Sequence, residues 1–527
     1  MSLLSARLAL LGDPANRQLT RILRGLEKES LRVSGEGTLA QTPHPPGLGS
    51  ALMHPSITTD YSEALLEFIT EPHDSTDAVL RELEQIQRYT YECLEGENLW
   101  GASMPCMLTS DANIPVARYG SSNPGVMKTI YRLGLGIRYG RSMQTIAGIH
   151  YNFSLADAFW AFWHQREGGT DSLCEYKNRR YFDLIRNFRR YFWLLLYLFG
   201  ASPAMCRSFV KGREHRLLPF GGDEHSLHLP FATSLRMGDL GYQSEAQASL
   251  VVSYNDLRSY IQTLCNAISK PHPAYAAYGI RDQAGEYQQL NTSLLQIENE
   301  FYSTIRPKCV AQSGETALGA LHNRGVEYIE VRCVDLNPYE PLGITADQIH
   351  FMDVFLVYCL LADSPRTDAE KYRRSQENQR LVVNRGRDPA MRLLSPVGEQ
   401  SLQQWGRLLL DEMSAVAEVL DASYSSVAFS ESLRLQCEKL RHPELTPSAR
   451  ILADMQSSGE TFFRLAMQLS ERHARYYREL PLDADAHRKM FELSLHSVEQ
   501  QRQLESQPQQ DFDQYLADYY AQYECCT

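Results

Sequence analysis

Polar and apolar positions alternate with a period of two from Arg24 to Val33, and that alternation predicts a β-strand. Leu26, Lys28 and Ser30 fall on one face; Glu27, Glu29 and Leu31 fall on the other. Carboxylates at i and i+2 lie roughly 6.5–7 Å apart along a strand, where they repel unless water screens them or cations bridge them. The acidic face is therefore either a solvated sheet surface or half of a cluster that holds hard cations through oxygen.

Three later stretches extend the pattern. In residues 57–70, Leu66, Phe68 and Thr70 share one face and Leu65, Glu67 and Ile69 the other, so Glu67 interrupts an otherwise apolar strand. A lone buried carboxylate needs a partner, either an arginine across the sheet or a metal. Asp60 sits at a turn before that strand, as a cap or as a ligand. Residues 143–154 predict a strand with Gln144, Ile146, Gly148, His150, Asn152 and Ser154 on a polar face, opposite a core face of Ile149, Tyr151 and Phe153. His150 there is a structural histidine or a ligand. Residues 325–338 place Tyr328, Glu330 and Arg332 on one face. Those charges form a cross-strand ion pair or, facing a metal and a phosphate, put Glu330 on the cation and Arg332 on the anion.

Helical spacing fills the intervals. It predicts an amphipathic helix over 1–11, a helix over 15–23 leading into the acidic strand, and helices over 77–98, 128–139, 171–199 and 254–268. The helix at 128–139 carries Tyr131, Arg132 and Arg138. Residues 209–229, rich in glycine and histidine, read as a surface loop or flap. Residues 232–242 read as a loop presenting Tyr242 and Arg236, the latter a surface charge or a carboxylate clamp. From Ala346 onward the pattern is nearly all helical. The acidic strands are spread over the first 340 residues and meet only if they share one sheet. That favours a single α+β unit with helices packed outside.

Composition narrows the chemistry. A net charge of −12 argues against an electrostatic nucleic-acid binder. No apolar run reaches the length of a membrane span, and the first residues lack the pattern of a signal peptide. Eleven cysteines without CxxC pairs make neither a disulfide framework nor a zinc pattern, so buried thiols in a cytoplasmic protein are expected. Walker A, dinucleotide, HExxH and GxSxG motifs are absent. Carboxylates and one histidine on strands, with arginines nearby, suit magnesium and phosphate.

At this point the motifs are recognisable. Arg24-Gly25-Leu26-Glu27-Lys28-Glu29-Ser30-Leu31-Arg32 closely resembles the opening strand of the proteobacterial type of glutamate–cysteine ligase. In the same order follow Thr58-Thr59-Asp60-Tyr61, Leu65-Leu66-Glu67-Phe68-Ile69-Thr70, Met143-Gln144-Thr145-Ile146 and His150-Tyr151-Asn152-Phe153-Ser154. Leu198-Phe199-Gly200-Ala201-Ser202-Pro203, Ala232-Thr233-Ser234-Leu235-Arg236, Gln296-Ile297-Glu298-Asn299-Glu300 and Glu327-Tyr328-Ile329-Glu330-Val331-Arg332 complete the series. The resemblance is strong over about 20–345 and weak after about 360. Departures from the family are Lys28 for a more usual arginine, Tyr61 for an aromatic that can be phenylalanine, and the loop at 211–228.

The resemblance implies a curved antiparallel β-sheet funnel related to glutamine synthetase, surrounded by helices, in one catalytic domain spanning 1–527 with a helical part from 346 onward. It implies ATP- and magnesium-dependent ligation of L-cysteine to the γ-carboxylate of L-glutamate through a γ-glutamyl phosphate, the first step of glutathione synthesis. Carried over by position, Glu27, Glu29, Asp60, Glu67, His150 and Glu330 resemble the metal cluster, with manganese as a substitute for magnesium. Arg332 resembles the contact to the transferred phosphoryl and, with Glu330, the catalytic pair. Arg132 and Arg236 resemble substrate-carboxylate contacts; Tyr131, Gln144, Ile146, Tyr242 and Tyr302 resemble the cysteine side; Asn152 falls among cofactor-binding residues. Glutathione is the expected feedback inhibitor. A cytoplasmic monomer is expected, without nucleic-acid or membrane partners. Two other readings stand beside this one: a ligase of the same fold joining glutamate to another amine, and a metal-stabilised binding protein without turnover.

Overall fold

The structure, a computed structural model, describes residues 3–13, 15–16, 20–105, 107–241, 247 and 250–524. Its centre is an antiparallel sheet built from strands far apart in sequence. The strands are β1 (Ile22–Ser34), β2 (Ile57–Thr59), β3 (Leu65–Ile69), β4 (Glu97–Leu99) and β5 (Ile149–Leu155). Three more, β6 (Ala204–Cys206), β7 (Leu218–Phe220) and β8 (Asp223–His228), form a separate small sheet. The last two strands of the large sheet are β9 (Ile305–Lys308) and β10 (Tyr328–Val334). Its order is β2-β3-β1-β5-β10-β9, with β4 pairing to the far end of β1, and it does not close into a barrel. This is the α+β class that the alternating segments predict.

The two faces of the sheet have opposite characters. Ile149, Tyr151 and Phe153 of β5, with Ile329 and Val331 of β10 and Leu26 of β1, are buried on the helix-covered side. The helix Thr76–Cys93, capped by Ser75, packs on β1 and β3 there. Two charged side chains share that side, each held by hydrogen bonds. Arg24 Nη2 donates to Asp353 Oδ2 at 2.9 Å, both side chains completely buried, and Tyr151 OH donates to the other oxygen of the same carboxylate. Asp353 comes from the helix Ala346–Leu361, which opens with a capping box between Thr345 and Gln348. Lys28 Nζ donates to Gln87 Oε1 at 2.5 Å and to the Pro341 carbonyl at 3.0 Å. Burial pushes its ammonium down to about 7. Lys28 thus points away from the acidic face, as the alternation predicts.

Several local expectations change in the tertiary context. The helix expected over 15–23 does not form at its end. Ile22 and Leu23 already pair with Leu155 and Ser154 of β5, and only a short 3₁₀ turn occupies Ala15 and Asn16; residues 17–19 lie outside the described set. Ladder pairing along a long strand outweighs helical spacing over nine residues. The helix expected over 77–98 stops at Cys93, because Gly96 adopts a positive φ of 70° and the chain then joins β1 as β4. The helix expected from Lys128 starts earlier, at Asn123, with Pro124 in its first turn. Phe192 divides the run at 171–199 into the helices Leu173–Tyr191 and Trp193–Phe199. The flap expected at 209–229 contains β7 and β8, joined through Gly221 and Gly222, both at positive φ.

Beyond 346 the chain is helical except for a hairpin, β11 (Arg392–Ser395) and β12 (Gly398–Ser401). Its helices wrap the sheet. Phe462–Glu479 and Ala484–Ser506 pack on Thr76–Cys93, and Phe512–Ala521 packs on Asn123–Tyr139. Among the described residues no helix is long and apolar enough to cross a membrane.

Candidate active site

Register assembles the acidic residues. In the β1–β5 ladder Glu27 pairs with His150 and Gly25 with Asn152. In β5–β10 Asn152 pairs with Glu330, and in β10–β9 Glu330 pairs with Arg306. On the other flank Glu29 pairs with Glu67 of β3. Because side chains alternate across a strand, these directly paired residues all rise on the one face not covered by the core helices. Asp60, in the turn between β2 and β3, joins them at the rim.

The imidazole of His150 stands between the two carboxylates of β1. Nδ1 lies 2.9 Å from Glu27 Oε2, and Nε2 lies 3.6 Å from Glu29 Oε1. Asn152 Nδ2 donates to Glu27 Oε1 at 2.8 Å, and the amide of Gly148 donates to Glu29 Oε2 at 2.7 Å. Glu330 accepts from Lys308 Nζ on one oxygen and from Arg332 Nη1 on the other, each at 3.1 Å. Oxygen and nitrogen ligand atoms of Glu27, His150 and Glu330 lie within 4.8 Å of one another.

Charge follows this geometry. Burial raises the Glu330 carboxyl, but Lys308 and Arg332 outweigh it and hold the group well below the usual range. Burial also opposes ionisation of Glu27, where the hydrogen bond from His150 wins and lowers it. Glu67 has no such relief. Burial, then Glu27, Asp60 and Glu29, push it well above the usual range, and Glu29 is raised by burial too. No hydrogen bond reaches the Glu67 carboxylate among the described residues.

The donor set fits a hard cation. With Nδ1 donating to Glu27, Nε2 of His150 presents a lone pair toward Glu29, acceptor facing acceptor. That nitrogen and Asn152 Oδ1 are both buried without a hydrogen-bond partner. Unsatisfied buried acceptors beside the Glu27, His150 and Glu330 grouping are what a bound cation relieves.

Arginines border the cluster. Arg236, in the 3₁₀ turn Leu235–Met237, is no surface charge: it is buried, with Nη1 3.8 Å from Asp335 and Nη2 donating to the Arg332 carbonyl at 3.1 Å. Asp335 is itself held by the Ala201 amide and the hydroxyls of Ser202 and Ser234. Gly148 leaves room for that guanidinium, since a Cβ there would sit 2.0 Å from Arg236 Nη2. Arg132 donates from Nε to the Asp60 carbonyl and from Nη2 to that of Thr59 at 3.4 Å, and it lies 4.5 Å from the Tyr119 ring centre. It therefore tethers the Asp60 turn to the helix Asn123–Tyr139.

Gln144 and Ile146 reach the site from a 3₁₀ turn, Met143–Thr145, and the residues just after it, not from the strand face expected over 143–154; β5 begins only at Ile149. Gln144 Nε2 donates to Tyr302 OH at 2.8 Å. With Tyr131 they form a neutral side of the cleft. Tyr242 lies outside the described residues. The whole cleft, about 420 Å³, is in the range of small-ligand sites.

Two groups of lining residues escaped the sequence reading. Arg306 and Lys308 sit on the edge strand β9, and their alternation with Ile305 and Pro307 was visible without a role attached. Tyr515 and Tyr519 come from the helix Phe512–Ala521, about 180 residues beyond the end of β10, and no local signal links them to it.

Comparisons with known proteins agree with this geometry. Residues 8–382 match the family described as glutamate-cysteine ligase. Proteins named glutamate–cysteine ligase from Saccharophagus degradans and Alcanivorax borkumensis are 53% and 51% identical over 509 and 516 residues. The alignments cover 96% of both chains in the first case, and 97% of this chain and 98% of the other in the second. A crystal structure of glutamate–cysteine ligase from Francisella tularensis in complex with AMP superposes with a TM-score of 0.89 at 37% identity, covering 96% of this chain and 99% of that one. A cluster of acidic strands, a fold shared over nearly the whole length and half-identical relatives converge on one conclusion: the chain belongs to the glutamate–cysteine ligase family.

Proposed function

We propose that the protein joins L-cysteine to the γ-carboxylate of L-glutamate, using ATP and releasing ADP and phosphate. The observation that carries this reading is the face on which Glu27, Glu29, Glu67, His150 and Glu330 converge beside Arg332, Arg306 and Lys308. A triphosphate and a carboxylate meet only where cations and fixed positive groups offset their repulsion, and this face supplies a place for both.

Glu27, His150 and Glu330 would hold one divalent cation, with Glu29, Glu67 and Asp60 alongside. Bound there, magnesium neutralises charge on phosphate oxygens. The γ-carboxylate of glutamate attacks the terminal phosphorus, ADP leaves, and a γ-glutamyl phosphate forms. Arg332 aims its guanidinium into the cleft from the same strand as Glu330, whose carboxylate fixes it at 3.1 Å, and stabilises the equatorial oxygens of the transferred group. Arg132, which lines the cleft, would hold a substrate carboxylate, with the guanidinium of Arg236 buried behind the acidic face and locked by Asp335 as the second candidate. The cysteine amine then attacks the acyl carbon, loses its proton, and phosphate leaves. No protein nucleophile is needed, in keeping with the lack of serine and cysteine among the described residues that line the cleft.

The test is phosphate release from ATP with magnesium and glutamate, with and without cysteine. The expected result is release that requires both amino acids, with one γ-glutamylcysteine per phosphate. 2-Aminobutyrate, which lacks only the thiol, should replace cysteine, and ammonia should not. Release indifferent to cysteine would keep the acyl phosphate and assign another amine as acceptor. No release under any condition would overturn the reading.

A further inference from the structure

The helix Phe512–Ala521 lies far outside the stretch that matches the family, yet Tyr515 and Tyr519 line the same cleft as the acidic strands. They are one turn apart, so both project from one face of that helix. Leu516 between them is buried against Met127 and Ile297, which also face the cleft.

The helix is fixed at both ends. At its start Arg281 Nη2 donates to Asp513 Oδ1 at 2.6 Å, and Asn123 donates from its amide to Gln509 Oε1 at 3.2 Å and from Nδ2 to the Gln510 carbonyl at 3.0 Å. At its end Tyr520 OH donates to the Gln296 carbonyl and accepts from Asn291 Nδ2, each at 2.8 Å. Gln296 in turn donates from Nε2 to the Tyr131 carbonyl at 3.1 Å. A bonded path therefore runs from the last helix to Tyr131.

We infer that this helix is the outer wall of the acceptor pocket, and that Tyr515 and Tyr519 set how large an acceptor amino acid the cleft admits. The inference rests on the ligase reading above. The cleft has two chemical halves. Its sheet face is charged and suits phosphates, cations and carboxylates. Its other side, with Tyr131, Leu135, Ile146 and Tyr302, is neutral and suits a small uncharged side chain. Tyr515 and Tyr519 extend the neutral half, and both are half-buried, so their rings occupy space that a longer side chain would need. They act by size, not in the chemical steps.

The experiment measures kcat and KM for cysteine, 2-aminobutyrate, norvaline and norleucine, and KM for glutamate and ATP. It uses full-length wild type, Tyr515→Ala/Tyr519→Ala, Tyr515→Phe/Tyr519→Phe and Tyr519→Trp. The alanine pair should shift kcat/KM toward norvaline and norleucine, relative to 2-aminobutyrate, by about tenfold or more, with KM for ATP within about twofold of wild type. The phenylalanine pair should keep the wild-type ratio, because ring size is unchanged. Tyr519→Trp should move the ratio the other way, which keeps the idea testable if the alanine pair folds poorly. An unchanged ratio in both the alanine and tryptophan variants, or equal rises in KM for the acceptors, glutamate and ATP alike, overturns the inference. Wild-type turnover is the control: its absence would mean that the ligase reading itself has failed.

Discussion

Glu29 and Glu67 stand directly opposite each other in the β1–β3 ladder, two carboxylates at a position where sheets ordinarily pair opposite charges or apolar groups. Both are raised above the usual carboxylate range, chiefly by burial. The pair destabilises the protein in the absence of cations. Glu67→Gln should therefore raise the melting temperature in EDTA by up to about 1 °C. It should also shrink the further rise that magnesium gives to wild type, and it should abolish turnover. Differential scanning fluorimetry with and without magnesium reads all but the last. An unchanged melting temperature in EDTA would mean that the pair carries no strain.

Gly148 and Arg236 are coupled by space. The buried guanidinium is held by Asp335 and by the Arg332 carbonyl, so it has little freedom to yield to a new methyl group. Gly148→Ala should cut kcat/KM by about 10²-fold while circular dichroism remains that of wild type. On an Arg236→Ala background the same change should cost almost nothing, because the clash is gone. Additive losses in the double variant would refute the coupling.

The core-side ion pair makes a stability prediction independent of activity. Arg24 and Asp353 are completely buried, and removing one leaves the other charge unpaired. Asp353→Ala should lower unfolding free energy by about 3–5 kcal/mol. Arg24→Met combined with Asp353→Leu should recover most of that loss. Urea denaturation followed by tryptophan fluorescence measures both. Equal destabilisation in the single and double variants would contradict the account.

His54 predicts part of the acid sensitivity. Its Nδ1 accepts from the amides of Ser56 and Ile57 at 3.0 Å each, just where β2 begins, so protonation there would break both bonds. Burial pushes its pKa down to about 4 from an ordinary 6.5. Between those values the unfolded chain binds the proton and the folded protein does not. The stabilisation is therefore complete above about pH 6.5 and is lost as pH falls toward 4, to a total of order 3 kcal/mol. His54→Asn offers an oxygen acceptor without titrating, and it should make the stability profile shallower across that window, where His44, also pushed down to about 4 by burial, still contributes. A profile as steep as wild type's would exclude His54 as the sensor.

Much of this architecture was legible from period alone. Period alone puts Glu27 and Glu29 on one side of β1, and His150 and Glu330 each on the polar side of its own strand; that these sides coincide is implied only by the family resemblance and is set by register between strands. Lys28 was turned away by the same rule. The misses have physical reasons. Ile22 and Leu23 look helical in isolation but gain ladder partners 130 residues away, which no local window contains. Gln144 and Ile146 were assigned to a strand because their alternation continues that of β5, yet the chain turns at Met143–Thr145 before the ladder starts. The sequence alone leaves Arg236 open between a surface charge and a carboxylate clamp. Its burial depends on Asp335 and on the space above Gly148, and neither is a neighbour in sequence. Tyr515 and Tyr519 could be assigned only once the last helix was seen docked on Asn123–Tyr139.

The run Glu27-Lys28-Glu29 has a consequence for how the chain finds its fold. With opposite charges on alternate faces, a shift of β1 by a single position would thrust two carboxylates among the core helices and set an ammonium at the centre of the acidic face. Gln87 and the Pro341 carbonyl would lose their donor, and His150 would lose Glu27. The wrong frame is thus penalised from both sides of the sheet at once. The side chains gathered for chemistry also serve as proofreaders of strand alignment, and substitutions chosen only to silence the enzyme will loosen that control as well.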